Sequence, residues 1–247
     1  MSERPLDGKV ALVTGAGRGI GREIALRMAS DGAAVIAHYA NSATGAEEVV
    51  AQIKASGGKA MAIQADIAKR DEIVAMFAAI DRFADRLDIV VNNSGVGTGG
   101  NLAQVKQEDV DWIFGVNVFG PLWIASEASK RLADNGRIIN FSSTVARWPL
   151  AGAGLYSAAK KAIESFTESW ARELGTRGIT VNTVIPGATS PGMADGSPEY
   201  HDFFANASPF KRIGRAEEIV NVVAFLASPA ASWVSGAQIL ANGAGNN

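Results

Sequence analysis

Short apolar runs rich in Val and Ile alternate along this chain with longer segments whose apolar positions recur every three or four residues. That alternation is the signature of βαβ units and a parallel sheet. A strand covered on both faces reads as an unbroken hydrophobic run, whereas a crossover helix shows a single apolar stripe. Seven runs qualify as strands: Lys9 to Thr14, Ala34 to His38, Ala60 to Gln64, Leu87 to Asn92, Arg137 to Ser142, Ile179 to Ile185 and Gln238 to Ala241. Between them, Ile20, Ile24, Leu26 and Met28, then Ile73, Val74, Phe77 and Ile80, mark crossover helices. Gly32, Gly57 with Gly58, Gly136 and Gly178 each stand between a helical pattern and the next strand, where a left-handed C-terminal cap suits glycine. Residues 187 to 210 are rich in Gly, Pro, Ser and Asn and read as a mobile loop with a short helix. Nothing else resembles a linker or a repeat, so residues 1 to 247 form one domain.

Composition narrows the chemistry. A chain of 247 residues, 47% of them hydrophobic, can bury a large single core without a metal or a disulfide. With no cysteine it has no disulfide scaffold, Cys-based zinc site, iron-sulfur cluster or thiol nucleophile. Lys and Arg total 23 against 25 Asp and Glu, a net charge of −2 without like-charge blocks, which speaks against broad nucleic-acid binding. The opening MSERPLDGK lacks the apolar run of a signal peptide, and no stretch approaches a membrane span, so a cytoplasmic protein is expected. Glycine, 27 of 247, exceeds the usual share of about 7% and calls for an explanation.

Part of that excess lies in T-G-A-G-R-G-I-G, Thr14 to Gly21, which ends the first strand and leads straight into the first helix. A glycine turn there lets backbone N–H groups and the positive end of a helix approach a pyrophosphate, although the spacing Gly15, Gly19, Gly21 departs from G-x-G-x-x-G. A site for NAD normally places a carboxylate at the end of the second strand to hold the ribose 2′-hydroxyl. Here that region reads A-H-Y-A-N-S, His38 to Ser42 with the preceding Ala37, without a carboxylate, while Arg18 offers a guanidinium to a 2′-phosphate. NADP(H) is therefore preferred, with NAD(H) possible. Arg18 could instead be a solvated helix-start residue, and His38 reads as an ordinary strand-end histidine.

Tyr156 and Lys160, in Y-S-A-A-K, share one helix face, and an adjacent ammonium favours the ionised form of a phenol. The pair is a candidate for proton transfer, although a Tyr and a Lys four apart also occur together by chance. No G-x-S-x-G elbow exists and the only histidines are His38 and His201, which argues against a hydrolase.

Taken in order, these motifs resemble the short-chain dehydrogenase/reductase (SDR) family, notably 3-oxoacyl-[acyl-carrier-protein] reductase-like members, along essentially the whole chain. T-G-A-G-R-G-I-G is similar to its cofactor loop, Asp66 in A-D-I to its adenine-contacting aspartate, and N-N-S-G, Asn92 to Gly95, to its N-N-A-G. Asn117 in V-N-V resembles its helix asparagine, and Ser143 in F-S-S, thirteen residues before Tyr156, its catalytic serine. Y-S-A-A-K resembles its Y-x-x-x-K, and Pro186 with Gly187 its P-G motif.

The resemblance implies an α/β single-domain Rossmann fold, a doubly wound seven-stranded parallel sheet with helices on both faces. It also implies NADPH-dependent reduction of a ketone to a secondary alcohol, with no metal. Ser143 would hydrogen-bond the carbonyl, Tyr156 would protonate it, Lys160 would lower the Tyr156 pKa and hold the nicotinamide ribose, and Asn117 would position a water. The implied cofactor contacts are Gly15, Arg18, Gly19, Ile20, Gly21, Tyr39, Asn41, Ser42, Asp66, Ile67, Asn93, Ser94, Gly95, Tyr156, Lys160, Pro186, Gly187 and Thr189. A homotetramer is implied through the helices Trp112 to Leu132 and Tyr156 to Leu174 and the last strand. Three departures stand out: Ser94 for Ala, Pro191 where many members have a cofactor-contacting Thr, and L-A-N-G-A-G near the C-terminus for V-D-G-G. The alternatives are a sugar or secondary-alcohol dehydrogenase on the same fold, or a non-catalytic dinucleotide-binding module. Trp148, Leu150, Leu155, Met193, Tyr200, Phe203 and Phe204 could line an apolar substrate pocket, or serve as loop anchors and interface residues. A carrier-protein partner would need a basic landing patch, and Lys130 to Arg137 is mixed in charge.

Overall fold

The first strand sets the plan of the molecule. In the computed structural model, which describes residues 4–97, 99–192 and 198–245, all four residues of β1 (Val10–Val13) are buried. Ala11 and Val13 point into one core with Ile24, Met28, Val49 and Val223, and Val10 and Leu12 into another with Ile73, Phe77, Ile80 and Ile124. Period-two side chains thus fill two layers at once, which is why the strand reads as an unbroken apolar run. The helices covering the first face are α1 (Gly19–Ser30), α2 (Ala43–Ala55) and α8 (Ala216–Ala227); α3 (Arg70–Phe83) and α5 (Gly120–Ser129) cover the second. Phe77 is fully buried, so Phe77→Ala would cost about 3–5 kcal/mol.

Seven parallel strands form the sheet in the order β3 (Ala60–Gln64), β2 (Ala34–Tyr39), β1, β4 (Leu87–Asn92), β5 (Leu132–Phe141), β6 (Thr180–Pro186) and β9 (Gln238–Ala241). The winding reverses between β1 and β4, and open α/β sheets bind ligands at the carboxyl ends of the strands beside such a switch. Asn92, Asn140, Thr167 and Thr183 form a buried hydrogen-bonded row from the centre of the sheet into α6 (Gly154–Leu174), with links of 2.9, 2.8 and 2.6 Å. No described helix is long and apolar enough to cross a membrane.

Several expectations shift by a few residues. β1 is shorter than Lys9 to Thr14, β2 runs on to Tyr39, and β6 lies one residue later than Ile179 to Ile185. β5 begins at Leu132, not Arg137, and stops before Ser142. Leu87 pairs with Leu132 and Ile89 with Arg137, so the intervening polar residues form an irregularity in which Asn135 takes φ +62°. Gly136 is therefore no helix cap: its φ is not positive, and a Cβ there would meet the Ala133 and Asp88 carbonyls at 2.9 and 3.1 Å. Gly32, Gly57 and Gly178 do take positive φ after their helices. The helix expected from Trp112 to Leu132 consists of α4 (Gln107–Phe114), a π-turn at Gly115–Phe119 and α5, with Leu132 already in β5. Val74 points to solvent despite its place in the apolar pattern. Within residues 187 to 210, two residues of β7 (Thr189–Ser190) pair with β8 (Gly214–Arg215), and α7 (Pro198–Ala207) follows; Met193 lies outside the described residues.

Candidate active site

The glycine loop turns tightly because Gly15 and Gly19 take φ of +67° and +55°, a region that L side chains disfavour. Gly21 serves contact: a Cβ there would stand 2.2 Å from the Gly15 carbonyl and 2.4 Å from Asn93 Nδ2. Asn93 Nδ2 donates to the Thr14 carbonyl at 2.8 Å, and the Ser94 N–H donates to Thr14 Oγ1 at 2.9 Å, tying the loop to the end of β4. From Gly17 to Gly21 no backbone N–H has a backbone partner among the described residues, and the first turn of α1 carries no acidic residue. Such a cradle at a helix N-terminus fits an anionic diphosphate.

The flanking cleft suits the rest of a phosphorylated dinucleotide. Arg18, the N-cap of α1, is exposed and makes no ion pair or side-chain hydrogen bond with described residues, while Tyr39, Asn41 and Ser42 close β2 without a carboxylate. Asp66 accepts from the Ala68 N–H at 3.0 Å and pairs with Lys69 at 3.5 Å, and Ile67 is buried against Gly120. The periodicity carried no signal for Gly17 and Gly45. A Cβ on Gly17 would meet Ser42 at 2.8 Å, and one on Gly45 the Gly17 carbonyl at 2.1 Å, so loop and α2 touch backbone to backbone. The S-A-T-G opening of α2 was the one available hint.

Ser143, Tyr156, Lys160 and Asn117 converge beyond the ends of β4 and β5. Ser143 follows β5 in extended conformation and is hydrogen-bonded to Tyr156. Burial pushes the Tyr156 phenol up to about 12, against the opposing effect of the Ser143 bond. Burial also draws the Lys160 ammonium down to about 8. Lys160 Nζ donates to the Phe141 carbonyl at 3.1 Å and lies 5.8 Å from the Tyr156 ring centre. Burial is the largest influence on the phenol, and Tyr156 remains a protonated acid. The π-turn carries Asn117, whose carboxamide accepts from the Val96 N–H at 3.1 Å and donates to its carbonyl at 2.8 Å. A Cβ on Gly95 would stand 3.1 Å from Asn117 Oδ1 and 3.2 Å from Lys160 Nζ, so a side chain there would press on both groups by a few tenths of an ångström.

Glu164, one turn beyond Lys160, is buried, and its spacing in the sequence gave no sign of a role at the site. Its carboxylate accepts from Ser142 Oγ at 2.9 Å and from Lys161 Nζ at 2.7 Å. At the mouth of the cleft, the Gly187 N–H donates to the Ala241 carbonyl, and a Cβ on Gly187 would meet Asn242 at 2.9 Å, so L-A-N-G-A-G packs directly on Pro186 and Gly187. The Thr189 hydroxyl is spent on the Gly187 carbonyl at 2.9 Å, and the Pro191 carbonyl faces Gly19. A cavity of about 330 Å³ flanks the site between Thr144, Gly187, Phe210 and Leu240; of the apolar pocket candidates, Phe204 lines it, whereas Trp148, Leu150, Leu155, Tyr200 and Phe203 do not. Tyr200 packs edge-on against Phe204 at 4.4 Å, and Phe203 against Phe204 at 5.1 Å.

Residues 15–245 match the family model described as Enoyl-(Acyl carrier protein) reductase. The chain is 42% identical over 252 residues to the short-chain dehydrogenase/reductase GME11373 of Pestalotiopsis microspora, covering 96% of this chain and 95% of that relative. The chain belongs to the short-chain dehydrogenase/reductase family. This SDR is also 41% identical over 258 residues to trihydroxynaphthalene reductase of Colletotrichum orbiculare, across 99% of this chain and 92% of the relative. Among solved structures it is similar to the angucycline C-6 ketoreductase LanV with bound NADP: 39% identity, a TM-score of 0.93, and coverage of 97% and 96%. Like these SDR reductases, it is an oxidoreductase of the CH–OH and ketone type.

Proposed function

We propose that this SDR reduces an aromatic ketone to a secondary alcohol with NADPH, using Ser143, Tyr156, Lys160 and Asn117. The observation that carries the reading is a half-buried tyrosine, hydrogen-bonded to Ser143 and near Lys160, beside a glycine loop whose N–H groups from Gly17 to Gly21 lack backbone partners among the described residues. When bound, NADPH supplies the hydride. The loop N–H groups hold the diphosphate, and Arg18 takes the 2′-phosphate. Ser143 hydrogen-bonds the ketone oxygen, and Tyr156 gives its proton to the developing alkoxide, a far stronger base than a phenolate. Lys160 steadies the phenolate left behind, and Asn117 holds Val96 and Gly95 clear of it.

An aromatic substrate is supported by the Tyr200, Phe203 and Phe204 cluster, of which Tyr200 lies near enough to act electrostatically on Tyr156. It agrees with the naphthalene and angucycline names of the relatives. A carrier-protein substrate has less support, since Lys130 and Arg131 are already paired with Glu127 and Asp81. Exposed Trp112, Phe119, Phe225 and Trp233 support assembly as a homotetramer, which light scattering would check. The test of function is loss of reduced-nicotinamide absorbance with an aryl ketone. Turnover with NADPH should exceed that with NADH and fall about 10²- to 10⁴-fold in Tyr156→Phe. Full activity in that variant, or a preference for NADH, would overturn the reading.

A further inference from the structure

His38, 1% exposed on β2 beneath the glycine loop, is a buried titratable side chain that no catalytic step uses. Its Nδ1 stands 3.3 Å from the Gly15 nitrogen and its Nε2 3.0 Å from the Ala65 carbonyl oxygen. One neutral tautomer satisfies both contacts: Nε2–H donates to Ala65 and Nδ1 accepts from the Gly15 N–H. The backbone of the same residue accepts the Ala16 N–H at 2.8 Å. His38 therefore absorbs the first two N–H groups of the loop, leaving those from Gly17 to Gly21 for an anion. On its far side it grips Ala65, the residue before Asp66 and Ile67, so one ring spans the diphosphate wall and the adenine wall of the cleft. The Gly15 peptide is pinned from the other direction by Asn93, whose Nδ2 lies 3.4 Å from its carbonyl.

We propose that His38 is a positioning residue for the cofactor, its Nδ1 holding the Gly15 N–H so that the later loop N–H groups face the diphosphate. This rests on the NADPH reading above. Three variants dissect it. Asn places Oδ1 where the imidazole has Nδ1 and keeps the Gly15 acceptor. Gln places an amide N–H where the ring has Nε2 and keeps the Ala65 donor. Leu keeps neither. The Kd for NADPH, measured by nucleotide fluorescence, should weaken about tenfold or more in H38L and H38Q and recover in H38N. The loss should fall on the KM for NADPH more than on kcat. If H38L does not fold, the comparison of H38N with H38Q decides the question by itself. An unchanged Kd in H38Q, or affinities that follow melting temperature instead of the acceptor, would overturn the proposal. If the unaltered protein itself binds no NADPH, the cofactor reading fails separately. His38 is then judged by amide exchange at Gly15, which should accelerate in H38L and H38Q but not in H38N.

Discussion

Burial of His38 also makes a prediction about acid. Its folded pKa is lowered from 6.5 to about 4 because the ring is cut off from water, an effect only partly offset by the Ala65 bond and the charge of Asp66. The unfolded chain therefore takes up a proton first, and stability falls as pH drops from 6.5 towards 4, then levels off. The whole shift is worth roughly 3 kcal/mol, and the portion between about pH 7.5 and 5.5 roughly 1 kcal/mol. Over that interval Lys160, with a folded value about 8, is mostly protonated in both states, and Tyr156, pushed up to about 12, is neutral in both; neither adds much slope. Glu218 is held down to about 2 by Arg212, so its stabilisation is lost only at more acid pH. Urea unfolding followed by the fluorescence of the five tryptophans, at fixed protein concentration, should show a midpoint lower by roughly 0.5 M at about pH 5.5 than at about pH 7.5. In H38N most of that difference should vanish. Parallel shifts in the two proteins, or a flat response in the unaltered one, would refute the argument.

Gly21→Ala should shift the loop or α1, because its new methyl would lie 2.2 Å from the Gly15 carbonyl; a loss of about 1–3 kcal/mol in urea melts and weaker NADPH binding are expected. Arg18→Ala should narrow the NADPH over NADH preference, read as the ratio of kcat/KM values, by about tenfold or more, with little change for NADH. Since Lys160 is drawn down to about 8, kcat/KM should fall as pH rises through that value and the ammonium is lost; a flat profile to about pH 9.5 would remove Lys160 from the proton balance. Thr167→Val strands Asn140 and Thr183 in the core and should cost about 1–3 kcal/mol in the same melts.

The strands of unbroken Val and Ile were legible because burial on both faces favours apolar side chains at successive positions. The first half of β5 was not: Ala133 to Gly136 is polar, and pairing there is sustained by an irregularity with Asn135 in the left-handed region. The π-turn at Asn117 adds one residue to a helical stretch and is invisible to a period of 3.6. At the site, spacing put Tyr156 and Lys160 on one helix face, a pairing that also arises by chance, and Ser143 was legible only through the resemblance to the SDR motifs. Gly17 and Gly45 could not be picked out, because each is glycine for the sake of a neighbour distant in sequence. His38 looked like an ordinary strand end, since periodicity tells which face a residue occupies and not which peptide its ring nitrogen meets.

The backbone contact between Gly17 and Gly45 bears on re-engineering. In this protein Ser42 abuts Gly17: a Cβ on Gly17 would meet the Ser42 Cβ and carbonyl oxygen at 2.8 Å, so the backbone at 42 and the glycine loop are packed against each other. On the NADPH reading proposed above, choice of cofactor at residue 42 and the shape of the glycine loop would be coupled through that contact. A library that varies residues 17, 42 and 45 jointly would keep that contact adjustable, whereas one that varies residue 42 alone would hold Gly17 and Gly45 fixed.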